Sequence, residues 1–167
     1  TPASAAGFVG LLSIFNMLGR FFWASTSDYI GRKATYMCFF ALGIVLYAIV
    51  PWSGQTGSIF FFVAFYAVIL SMYGGGFSTI PAYLRDVFGT RYVGAIHGRL
   101  LTAWSVAGVL GPVLVNYIRQ YQIDSGVAKA DAYTVTMYIM AGLLAVGFVL
   151  NLMMKPVDAR FHMTGEK

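Results

Sequence analysis

From Ala34 to Leu84 the chain carries no Asp, Glu, Lys or Arg. A helix needs about 20 residues to cross a bilayer, so this run is long enough to cross and fold back at least once. The rest of the chain is similar, with 59% of residues hydrophobic and 10% charged. Soluble domains carry about 25% charged residues. A surface of this kind is not kept in water, so the chain reads as an integral membrane protein. Strands of a membrane barrel alternate apolar and polar residues in short segments, and these runs do not. The fold class is therefore all-α and polytopic, with five transmembrane helices.

The spans are expected at residues 4–25, 34–50, 59–83, 92–118 and 132–154, with a polar tail at 155–167. The loop Asp28 to Lys33 separates the first two, with Gly31 supplying a tight turn. Pro51 to Ser58, rich in breakers, is the next turn. Gly74-Gly75-Gly76 and Pro81 predict a bent or locally unwound second half of span three. Span four holds Gly94-x-x-x-Gly98, a close-packing pattern, and a Gly111-Pro112 pair that predicts a bend.

Arg32, Lys33, Arg85, Arg91, Lys155, Arg160 and Lys167 fall in two loops and the tail on one side, whereas only Arg119 and Lys129 fall on the other. Basic loops stay in the cytoplasm, so the tail is expected there, in a multi-pass protein of the plasma (inner) membrane. The net charge of +5 is scattered and forms no patch, so no nucleic-acid partner is expected. Cys38, the one cysteine, reads as a small core residue and offers no disulfide or metal framework. No metal or cofactor is expected. The chain begins at Thr1 with no signal peptide before the first span, which predicts a piece of a longer protein.

Two arginines stand inside apolar spans. Arg20 lies on a stripe with Ser13, Asn16, Trp23 and Ser27, spaced to share one helix face. Arg99 shares a face with Thr102, Ser105 and Asn116. Each lies about 12 Å inside the basic boundary at 1.5 Å per residue. An arginine at that depth costs from about 2.5 to well over 10 kcal/mol, depending on how it is measured. No Asp or Glu stands inside any span to offset it, and a guanidinium does not shed its proton. An anionic visitor is the natural partner, and arginine grips carboxylates through paired hydrogen bonds. The plainer reading is snorkelling, or pairing with carbonyls or an acid elsewhere in the molecule. Asn16 on the stripe, Tyr73 and Tyr66 on span three, and Trp104 one turn beyond Arg99 are further candidate contacts, weighed against ordinary packing. Trp23 and Trp52 read as interface residues. Ser78 with His97 has the composition of an intramembrane protease dyad, although helix packing explains the serine equally well. His97 is also a candidate proton carrier.

The motif Asp28-x-x-Gly31-Arg32-Lys33 after a span resembles the loop motif of the major facilitator superfamily. The strings GRFFWASTSDYIGRK, GGGFSTIPAYLRDVFGTRYVGAIHGRL and AGVLGP are similar to the oxalate:formate antiporter family within it. The resemblance implies a partial major facilitator fold, with these five spans matching spans eight to twelve of twelve, and a preceding N-terminal half of the same protein as partner. It further implies exchange or import of a small carboxylate, with Arg20 and Arg99 as carboxylate-binding residues. The expected function is secondary transport of an oxalate-, formate- or pyruvate-like anion by alternating access, with Asp28, Gly31, Arg32 and Lys33 as a conformational loop motif. The alternative is a membrane anion sensor or assembly subunit that binds without transporting.

Overall fold

The computed structural model describes residues 2–129 and 131–158. Five helices follow one another: α1 (Pro2–Ile30), α2 (Arg32–Gln55), α3 (Ile59–Phe88), α4 (Val93–Asp124) and α5 (Thr134–Met153). All five are long and apolar enough to cross a membrane, and there are no strands among the described residues. Arg160 and Lys167, with the rest of the tail from residue 159, lie outside the described residues.

Helices α1 to α4 run past the C-terminal ends of their expected spans, because polar residues there continue the backbone hydrogen bonding, whereas α5 falls just inside its expected span. The loop expected over Asp28 to Lys33 is a single residue. Gly31 breaks the helix with a φ of 87°, which only glycine adopts freely. Its N–H donates to Ser27 O at 3.0 Å, and its own carbonyl accepts from Thr35 N at 3.0 Å. Asp28 therefore lies in the last turn of α1, Arg32 begins α2, and the two pair across the turn. Likewise α2 runs through Pro51 to Gln55, and α3 runs through Pro81 to Phe88. The local unwinding expected at Gly74 to Gly76 does not occur, because these residues are helical throughout. Gly111 and Pro112, where a bend is expected, lie inside the continuous helix α4.

The glycines of α3 serve packing instead. A Cβ on Gly74 would strike the backbone carbonyl of Asn16, and one on Gly75 would lie 2.5 Å from the Trp23 Cβ. In return, Gly19 of α1 lies against the Ser71 backbone. Small residues let membrane helices approach at backbone distance, and α1 against α3 is the most extensive helix pair. The second is α2 against α5, where Gly43 admits Leu144 and Gly147 admits Phe40. Trp23 is partly buried and packs against the core. Its ring meets Phe39 edge-on at 4.9 Å, and its Nε1 donates to Ser71 Oγ at 3.3 Å. Cys38 is exposed and not the core residue expected.

The outlier is α4. It leans on α3 and α5 only lightly, and none of its residues is buried. The Gly94-x-x-x-Gly98 pattern, expected to mark close packing, faces open space, since a Cβ on either glycine meets nothing within 4 Å.

Candidate functional site

The expected site residues fall into three groups around α3. The first lies on the seam between α1 and α3. Asn16 and Arg20 sit one turn apart, and Gly74 makes room for both. The Arg20 Cγ is 3.3 Å from where a Gly74 Cβ would stand. The Ser78 hydroxyl donates to Arg20 O at 3.0 Å and to Gly75 O at 3.0 Å, which pins the α1 backbone at the arginine. The side chain of Arg20 is exposed. Among the described residues no carboxylate pairs with it.

The second group is Arg99 on α4. It is also exposed and also lacks a carboxylate partner among the described residues. Thr102 Oγ1 donates to the Arg99 carbonyl at 2.6 Å, which leaves the guanidinium itself uncommitted. Helices α1 and α4 do not touch each other, and α3 stands against both. The two arginines therefore flank one helix.

The third group is a cleft of about 360 Å³ between α3 and α4, lined by Tyr36, Tyr73, Phe77, His97, Leu100 and Trp104 among others. Trp104 Nε1 donates to the Tyr73 hydroxyl at 3.3 Å. Phe77 meets both rings edge-on, at 5.2 Å from Tyr73 and 5.5 Å from Trp104. Edge-to-face contacts of this kind suit the ring quadrupoles. Neither arginine lines this cleft. Tyr66 does not join Tyr73 there. It lines a separate cavity of about 480 Å³ with Tyr47, Tyr133 and Thr136. Ser78 and His97 are not paired either, since Ser78 lines a different pocket with Pro81 and Arg85 and its hydroxyl is held by main-chain carbonyls.

At the basic end the loop motif is tied into a network. Arg32 pairs with Asp28 and its Nε lies 3.7 Å from Asp86 Oδ2. That is an ion-pair distance without a hydrogen bond. Asp86 also meets Arg85 at 3.8 Å. Lys33 reaches across to α5, donating to Leu152 O and Met154 O. Asn151, 6% exposed, accepts from the Tyr83 hydroxyl at 2.8 Å and donates to Lys33 O at 3.2 Å. Tyr83 and Asn151 escape a reading of the sequence by charged loops. A lone carboxamide inside the apolar α5 is the signal that would have flagged Asn151.

Comparison with known proteins follows the same lines. The family described as the Major Facilitator Superfamily matches residues 1–165. The oxalate:formate antiporter of Oxalobacter formigenes is 31% identical over 103 residues, covering 62% of this chain and 24% of that protein. The chain thus spans about a quarter of that relative's length. No solved structure matches it.

Proposed function

The chain belongs to the Major Facilitator Superfamily, and we propose on that footing that it forms part of a secondary transporter for a small organic anion. The substrate class is an oxalate-, formate- or pyruvate-like mono- or dicarboxylate. The observation that carries this reading is the pair of guanidiniums, Arg20 and Arg99, held in apolar helices on either side of α3 with no acid to pair them among the described residues. Leaving such charges unmatched in a membrane is costly, and pairing with a carboxylate offsets that cost. Resemblance to an oxalate:formate antiporter supports the same chemistry.

In this reading the remaining part of the same protein closes the site, and the carboxylate is carried as two bundles rock about it. Arg20 and Arg99 hold the anion, Asn16 adds a polar contact beside Arg20, and Tyr73 and Trp104 form the adjoining wall. The network at Asp28, Gly31, Arg32 and Lys33 steadies one of the two conformations. The basic end lies in the cytoplasm of a plasma (inner) membrane, following the distribution of lysine and arginine.

Uptake of labelled small carboxylates into proteoliposomes tests this, using the full-length protein that contains the chain. Saturable uptake that is lost in both Arg20→Gln and Arg99→Gln is the expected result. Binding without accumulation marks a sensor, and uptake untouched by either change moves the site out of these helices.

A further inference from the structure

The cleft between α3 and α4 is far larger than formate or oxalate needs. Its volume is about 360 Å³, within the range of about 300–1,000 Å³ found for pockets that hold small organic ligands. Its walls are apolar and aromatic: Met72, Phe77, Ile80, Leu100 and the rings of Tyr73 and Trp104. A carboxylate alone leaves such walls without a partner.

One polar atom in it is unspent. His97 Nδ1 is buried and has no hydrogen-bond partner. It is the one lining side chain in that condition among the described residues. Of its polar neighbours, Tyr36 donates its hydroxyl to Gly76 O at 2.7 Å and Tyr73 accepts from Trp104. A buried donor or acceptor left unmade costs about 1–3 kcal/mol. A residue serving packing alone would be cheaper as an aliphatic.

The third feature is the position of Arg99. It is not in the lining, but Ala103, one turn further along α4, is. Residues two apart, such as His97 and Arg99, do not share a helix face, so Arg99 stands beyond Ala103, outside the cleft and turned away from His97. No Asp or Glu lines the cleft. The titratable groups that face His97 are Tyr36 from α2 and Tyr73 from α3, and the nearest cation along α4 is Arg99. An imidazole nitrogen accepts a proton from a hydroxyl or donates to its oxygen according to its tautomer.

We infer that this cleft takes the body of the substrate, and that the substrate is a monocarboxylate with an apolar, ring-sized body and a hydroxyl at its far end. The ring lies along Tyr73, Phe77 and Trp104, the hydroxyl meets His97 Nδ1, and the carboxylate points out of the cleft. The inference rests on the carboxylate-transporter reading and narrows its substrate class.

The test compares two acids that differ by one hydroxyl, 3-(4-hydroxyphenyl)propionate and 3-phenylpropionate, with formate and oxalate as small references. Each is measured for uptake, and for binding by competition, in the full-length protein in proteoliposomes. The expected result is a preference for the hydroxylated acid of roughly tenfold, the scale of one hydrogen bond. His97→Leu removes that preference and His97→Gln restores part of it. Residual binding of 3-phenylpropionate shows that each variant is folded. A preference that survives His97→Leu overturns the inference. So does uptake of formate or oxalate with no binding of either ring acid, which leaves the transporter reading intact. Failure of the protein to move any carboxylate overturns both.

Discussion

The ammonium group of Lys33 donates to the carbonyls of Leu152 at 2.9 Å and Met154 at 2.6 Å. The first turn of α2 is thereby fastened to the last turn of α5. The carbonyls at a helix C-terminus have no partner within the helix, and a cation there also offsets the negative end of the helix dipole. Asn151 closes the same joint from the other side through Lys33 O and the Tyr83 hydroxyl.

Loss of this joint is measurable. Lys33→Met is expected to lower stability by about 1–2 kcal/mol, the range for charged hydrogen bonds discounted for exposure. Lys33→Arg recovers part of it. For Tyr83 and Asn151, a double-mutant cycle with Tyr83→Phe and Asn151→Leu is expected to give a coupling of roughly 0.5–1.7 kcal/mol, the range for polar pairs in membrane helices. Thermal unfolding in detergent checks both, and a coupling of zero would make the Tyr83–Asn151 contact incidental.

Gly74 and Gly76 provide a matched pair. A methyl at Gly74 collides with the Asn16 carbonyl, whereas one at Gly76 meets nothing within 4 Å. Gly74→Ala is expected to force α1 from α3 and to cost about 1–3 kcal/mol as overpacking. Gly76→Ala is expected to be neutral or to stabilise by up to about 1 kcal/mol, since alanine is the better helix former. Equal stabilities for the two variants would show that the α1–α3 seam is not set by Gly74. The displaced backbone carries Arg20, so Gly74→Ala should also weaken substrate affinity.

These glycines show where the sequence could be read and where it could not. Five apolar runs, short charged turns and two stranded arginines follow from composition and spacing alone, and the helices confirm the all-α membrane fold. The role of a glycine does not follow, because its small size serves a hinge and a close approach equally well. Gly74 and Gly75 read as a bent or unwound stretch and are helical packing positions, whereas Gly94 and Gly98 read as a packing surface and stand open. The pairing of Arg32 with Asp86 was equally hidden, since it joins residues far apart in the chain and nothing local selects one acid over another. The cleft at Tyr73 and Trp104 needed the approach of α3 and α4 before its residues could be grouped.

Asp28 pairs with Arg32 from an exposed position, whereas Arg32 is partly covered and also within reach of Asp86. A single exposed ion pair is worth about 1 kcal/mol at most. Asp28→Asn is therefore expected to shift the balance between two transport conformations by about fivefold or less, without abolishing substrate binding. Labelling of single cysteines placed at either end of the helices reads this shift, in a Cys38→Ser background because Cys38 is itself exposed. Identical labelling on both sides in wild type and variant would remove the motif from any conformational role.

Phe77 ties α4 to α3. No residue of α4 is buried, so this helix draws little from general apolar packing. The Phe77 ring touches Trp104 of α4 and Tyr73 of its own helix, both edge-on. Aromatic pairs of this geometry contribute about 0.5–1.5 kcal/mol each beyond their buried area. The Tyr73 hydroxyl adds only a long hydrogen bond, 3.3 Å, between rings 49% and 54% exposed. Phe77→Ala should accordingly loosen α4 by about 1–3 kcal/mol, whereas Tyr73→Phe should cost less than about 1 kcal/mol. The rate at which a thiol reagent reaches a cysteine placed at Leu101, which lines the cleft, measures that loosening. It should rise clearly in Phe77→Ala and little in Tyr73→Phe. The reverse order would mean that the Trp104–Tyr73 hydrogen bond, and not the ring between them, holds the cleft together.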